Sequence, residues 1–450
     1  MSDPMDAPMN DGPLRGALKR VARLLHRVVH PQHLEERARV ERLAALVDST
    51  AAQQAKRLDA LGRKLEGIAG QLSSTATAAQ VQALGRDVAQ LSQQIDGLRE
   101  DTRARVRSLT QSVKSSARTQ EFRDDEARVM RRLTRLATTD RPILVGPWSG
   151  EVGFEILYWI PFVTWVLQRA RVQGERVIVV SRGGPTAWYA HLGGRYFDAL
   201  SAVTPEEFRA GTEAHRKQRA PGAFDRRLVR IAVAACGVRR PILLHPGLMY
   251  RLFYPYWKQT ATIRRVSRFT QHRRLAPVPD ASLAARLPRE YVAVRFYFNA
   301  SFPDTSENRA FITATIARLA ESTDVVVLNT PFQVDDHRDA AFTRGPRVHM
   351  IDDLMRPETN LDVQTAVVAG AKAFVGTYGG YAYLAPLCGV TSVAFFSVRD
   401  AFFAHHLELA EQVFRDLGAG SLVPLDVRDA GLVQLALGPS GVERVVRGPA

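Results

Sequence analysis

The residues in this chain whose types and spacing could do chemistry are two carboxylates and a pair of glycines. Glu151 and Glu155 lie in GPWSGEVGFEILYWIP, after the apolar run Ile143 to Val145 and among Gly146, Gly150 and Gly153. A carboxylate at the mouth of a Gly-rich strand-to-helix loop is placed to take a proton from an attacking hydroxyl. Each also has a plainer reading. Glu151 can be an acid interacting with a helix N-terminus, and Glu155 a surface or buried paired acid. Gly379 and Gly380 lie in AFVGTYGGYAYLAPLCGVTSVAFFS, Ala373 to Ser397, which reads as strand, turn, short helix, strand. Twin glycines there let the backbone approach a ligand and leave helix N–H groups aimed at it, which suits an anion such as a diphosphate. Without a ligand the same pair makes a tight turn. The side chains and backbone of such a cradle are Gly376, Thr377, Tyr378, Gly379, Gly380, Tyr381, Tyr383 and Leu384.

The elements that must position these groups follow from the pattern of the chain. With 450 residues, two or three units are expected. Residues 1–12 are short, acidic and Pro-containing and are expected to be disordered. PLRGALKRVARLLHRVVH, within 13–33, places Leu14, Leu18, Val21, Leu25 and Val28 at helical spacing with Arg and Lys around the other side. Such a basic amphipathic helix can lie on an anionic membrane through 13–29, or pack its stripe on the body of the protein. Over 34–138 the apolar steps of three and four (Val40 to Leu72, then Val81, Leu84, Val88, Leu91, Ile95, Leu98) predict a coiled coil with a skip or a helical hairpin, and with it a homo-oligomer. From Arg141-Pro142 the pattern changes to short apolar runs alternating with helices. This predicts Rossmann-like parallel sheets over 141–280 and 288–440. The stretches MYRLFYPYW and RRVSRFTQHRR read as irregular.

The Ala373 to Ser397 stretch resembles the C-terminal nucleotide-sugar motif of the lipopolysaccharide heptosyltransferases, D-S-G-x-x-H-L-A followed by G-V-P. Gly380, Leu384, Ala385, Gly389 and Val390 fall in register, whereas Tyr378, Gly379, Tyr383 and Thr391 replace the Asp, Ser, His and Pro. In the first unit, Glu155 to Pro161 matches that family's acid-to-Pro spacing with Phe154 in place of Gly, and Gly150-Glu151 matches the Gly-acid pair at a different distance. The resemblance implies the two-domain GT-B architecture: an N-terminal acceptor unit, a C-terminal donor unit, and Glu151 or Glu155 as base. It also implies that Arg295 meets the donor diphosphate, joined by Asn299 and Thr330 from neighbouring loops. A guanidinium fork suits phosphate oxygens; the plain alternative is that Arg295 pairs with a carboxylate.

The function these readings imply is transfer of a sugar from a nucleotide-diphosphate donor to a cell-surface polysaccharide or lipid-linked glycan acceptor. No cofactor or metal is expected. Asp352-Asp353 read as solvated, and His405, His406 and Glu408 lack the i, i+4 zinc spacing. The alternatives are a coiled-coil scaffold with an inactive GT-B-like head, and a nucleotide-sugar epimerase. A net charge of +15 points to acidic partners, but no nucleic-acid module appears, so nucleic acid is not expected. Cys236 and Cys388 alone give no disulfide framework. Without a long apolar run or a signal-type h-region, a cytoplasmic protein, peripheral at the membrane at most, is expected.

Overall fold

The computed structural model describes residues 77–213, 218–277, 281–334 and 337–429, with scattered helical positions between 49 and 67. The expectations for residues 1–12 and for the basic helix of 13–33 lie outside the described residues, as does most of the first heptad run. The chain divides into two units, residues 1–124 and 125–450. Helix α1, Ala78–Ala137, holds the second heptad run, Val81 to Leu98. Among the described residues no helix is long and apolar enough to cross a membrane.

The second unit is built on two parallel sheets. The first begins with β1, Ile143–Val145, followed by a short helix α2, Val152–Phe154, a π-helical turn, Glu155–Trp159, and α3, Ile160–Arg169. Then come β2, Val177–Ser181; β3, Arg195–Asp198; α4, Ala223–Ala235; β4, Ile242–Leu244; and α5, Gly247–Trp257. The strand order is β3-β2-β1-β4. The edge strand β3 was not expected, because RYFD is only half-buried and carries no apolar run. Nor was α5, whose sequence reads as irregular. Met249, Leu252, Phe253 and Tyr256 are buried at three- and four-residue steps, and Pro255 lies in the last turn, where the break it causes is small.

The second sheet comprises β5, Tyr291–Arg295; then, after the short antiparallel β6, Tyr297–Phe298, and α6, Ser306–Ser322, it continues with β7, Asp324–Val327. Beyond β8, Arg338–Asp339, which pairs with β6, follow β9, Val348–Met350; α7, Asn360–Gly370; β10, Ala373–Thr377; α8, Gly380–Leu387; β11, Thr391–Phe396; α9, Ala404–Leu417; and β12, Leu422–Asp426. Its spatial order is β12-β11-β10-β5-β7-β9. Numbered within the sheet this is three-two-one-four-five-six, a doubly wound order that reverses between β5 and β10. The inner strands β5, β7, β10 and β11 are mostly apolar runs because both faces are covered.

The two sheets share packing. A single apolar core runs from Trp148, Trp159 and Tyr250 through Tyr381 to Leu387 and on to Val326 and Phe374. Helix α8 is apolar on every side, and Tyr381 to Leu387 are all buried, so it can only sit between layers. The end of α1 also belongs to the α/β unit, with Val129, Leu133 and Leu136 in the same core. Glu126 pairs with Arg265 and Arg268 at 3.1 Å each. The change of character at Arg141 marks the first strand, whereas the unit begins near Asp125.

Candidate functional site

Ligands of doubly wound sheets bind outside the carboxyl ends of the strands, where the order reverses. In the second sheet that place is built and then closed. Gly379 and Gly380 follow β10 as expected, but β6 lays Tyr297 across them. A Cβ on Gly379 would overlap the Tyr297 hydroxyl. Thr377 donates from Oγ1 to the Tyr297 carbonyl at 2.8 Å and accepts from its N–H at 3.0 Å, pinning the residue there. Gly380 packs on the first sheet's loop, where a Cβ would meet the Gly153 nitrogen at 2.8 Å. Tyr383 donates to Tyr378 at 2.6 Å, and both are buried. Burial pushes the Tyr378 hydroxyl up to about 12 and raises the Tyr383 hydroxyl as well. Gly376 is shut against the Arg295 carbonyl, and Leu384 is core. The glycine turn expected to cradle a diphosphate is therefore occupied by the chain's own tyrosines.

An open cleft of about 380 Å³ lies beside it, lined from the first sheet by Val152 and Arg182 and from the second by Arg295, Asn329, Thr330, Asp339 and Tyr381. Of the expected donor residues, Arg295, Thr330 and Tyr381 meet here. Arg295 stands 4.3 Å above the Tyr381 ring. It donates to Gln364 Oε1 at 2.6 Å and to Asp339 at 3.2 Å and 3.4 Å, the carboxylate-paired state that was the plain alternative. Thr330 N–H also donates to Asp339, at 3.2 Å. Asn299 is elsewhere: its side chain accepts from Ser301 and Phe302 N–H and so caps its own loop. Asp352 and Asp353 pair at the surface with Arg344 and Arg286. His406 meets Tyr158 and stacks edge-on with Phe154, within an aromatic cluster that includes Trp257. Among the described residues no group of three His, Cys, Asp or Glu is arranged to hold a metal.

The two acids part company. Glu155 is wholly buried at the start of the π-helical turn. Its Oε1 accepts from Ser181 Oγ and Tyr189 Oη, both at 2.6 Å, and its Oε2 from Arg182 Nη1 at 2.8 Å. Burial raises its pKa, and the Arg182 charge opposes that rise. Glu151 is exposed at the head of α2, with extended backbone, and is followed by Val152 in the cleft wall. Its charge adds to burial in raising the Tyr250 hydroxyl. The loop that carries it is shaped by Gly146, at φ 114°, where a Cβ would overlap the Val180 carbonyl. Arg182 and Asp339 were missed in the sequence. Arg182 directly follows the apolar strand β2, the same strand-end position that singled out Arg295.

No family model matches the chain, and no curated protein matches it. Solved structures similar to it include the glycosyl transferase family 9 from Veillonella parvula, 12% identical over 67% of this chain and 90% of that one, at a TM-score of 0.37. A second is the iron-containing dodecameric glycosyltransferase TibC from enterotoxigenic E. coli, 14% identical over 59% and 61%, at 0.30. A third is a Listeria monocytogenes protein described as a UDP-N-acetylglucosamine 2-epimerase, 10% identical over 69% and 92%, at 0.33.

Proposed function

We propose that the chain is a glycosyltransferase that moves a sugar from a nucleotide-diphosphate donor to a hydroxyl of a cell-surface polysaccharide or lipid-linked glycan. The observation that carries this reading is the cleft at the strand ends of both doubly wound sheets, holding the Arg182 and Arg295 guanidiniums, with the exposed Glu151 carboxylate one residue from its wall. The donor's diphosphate enters beside the closed glycine turn. Arg295 already holds Asp339, so there the ligand exchanges one anion for another, while Arg182 stays on the buried Glu155. The sugar's C1 then faces the acceptor hydroxyl, Glu151 removes the hydroxyl proton, and charge developing on the leaving diphosphate is met by the guanidiniums. The positive charge in this reading comes from arginine, and the basic segment 13–29 keeps the enzyme near a lipid-linked acceptor.

The test is thermal-shift and turnover screening of the full chain with UDP-, ADP-, GDP- and TDP-sugars, repeated with EDTA. At least one donor should raise the melting midpoint and be consumed, with EDTA making no difference. Closure of the glycine turn by Tyr297 favours a second reading, a head without catalysis. Absence of any shift across the panel would establish it.

A further inference from the structure

The Glu155 carboxylate is wholly buried, yet its contacts reach both the cleft arginine and the loop that carries Glu151. The π-helical turn buries all five of its residues, and so turns a carboxylate into the layer beneath the cleft. Three donors converge on it, two neutral hydroxyls on Oε1 and the Arg182 guanidinium on Oε2. Arg182 is itself 5% exposed and lines the cleft. Its other terminal nitrogen donates to the Gly150 carbonyl, the peptide that joins directly to Glu151. The residue after Arg182 is also engaged: the Gly183 carbonyl accepts from Leu361 N–H at 2.7 Å, at the start of α7 from the second sheet. We infer that Glu155 is a positioning residue, which through Arg182 sets both the cation that meets the donor diphosphate and the loop that aims Glu151. This rests on the sugar-transfer reading of the cleft.

The physical case is one of geometry over stability. A buried ion pair adds little net stability relative to an apolar pair, so its value lies in fixing where the guanidinium points. Without Glu155, Arg182 loses the charged partner that fixes its Nη1. Ser181 and Tyr189 orient the carboxylate in turn, leaving Oε2 for the arginine.

The experiment is isothermal titration of the full chain with UDP, ADP, GDP and TDP, for wild type, Glu155→Gln, Arg182→Gln and the double variant, followed by turnover with whichever donor is accepted. For the nucleotide that wild type binds, each single variant should raise Kd about tenfold, and the double variant should be no worse than Arg182→Gln within about twofold, the signature of one pathway. Glu155→Gln should also lower kcat, because the Glu151 loop is released. A merely structural role would lower the melting point while leaving Kd unchanged, or would give losses that multiply in the double variant. Either result overturns the inference and leaves the sugar-transfer reading standing. Failure of wild type to bind any of the four overturns both. If Glu155→Gln does not fold, Tyr189→Phe carries the test, since it removes one hydroxyl and no charge. A Kd raised two- to fivefold supports the inference, and an unchanged Kd overturns it.

Discussion

Glu151 and Glu155 are four residues apart and have opposite environments, and that contrast makes the base assignment testable. Glu151→Gln keeps the shape and removes the proton acceptor. Turnover should fall roughly 10²- to 10⁴-fold while the nucleotide Kd stays within about twofold, measured by titration and single-turnover kinetics. Equal losses in binding and rate would argue against the assignment. A second residue-scale expectation concerns pH. His272 donates from Nε2 to the Leu157 carbonyl at 2.9 Å, and burial holds its pKa down at about 4. The unfolded chain takes up that proton near 6.5, so the stability His272 contributes is present above pH 6.5 and lost as pH falls towards 4. His191, also held down at about 4 by burial, acts in the same direction. Burial pushes Asp198 up to about 6, which acts in the opposite sense, removing stability as pH rises from about 4 to 6. In denaturant titrations, His272→Gln should flatten the stability profile between pH 4 and 6.5 by up to about 1.4 kcal/mol per pH unit. An unchanged slope would show that the ring is not held neutral.

At the scale of elements, the close meeting of α2 and α8 decides what the twin glycines do. Gly153 and Gly380 touch backbone to backbone, and a methyl on Gly380 has the Gly153 nitrogen at 2.8 Å and Val152 Cβ at 2.9 Å. Gly380→Ala should therefore cost about 1–3 kcal/mol by overpacking, seen as a lower melting midpoint. A neutral result would mean that the two helices stand further apart. The elements themselves were largely legible: β1, β2, β4, β5, β7, β9, β10, β11 and β12 are short apolar runs bounded by turn residues. What was not legible had physical reasons. Edge strand β3 keeps half its surface and so needs no apolar run. Helix α5 hides its period beneath aromatic and basic residues. Asn299 looked like a site residue because loops after strands often are, but its carboxamide is spent on its own turn.

For the molecule as a whole, the unit from Asp125 onward should fold without what precedes it. A 125–450 fragment keeps Val129, Leu133 and Leu136 in the core and Glu126 on Arg265 and Arg268, whereas a 139–450 fragment loses all four. Removing those three buried apolar side chains costs on the order of 5 kcal/mol or more. The longer fragment should melt cooperatively and the shorter should aggregate or melt far lower, read by circular dichroism. Comparable melting of both would place the boundary at the strand after all.

What the amino-acid order determined by itself was the type of architecture and the set of candidate groups. Apolar periodicity, turn residues and strand-end polar residues are local properties, carried by spacing along the chain. Only the tertiary structure decided which candidates share a site, because that depends on contacts between distant segments. Tyr297 is far in sequence from Gly379 yet covers it, Asp339 reaches Arg295 from the short strand β8, and Arg182 binds Glu155 from the end of the next strand. Burial then separated the two acids, leaving one in water and the other beneath the cleft.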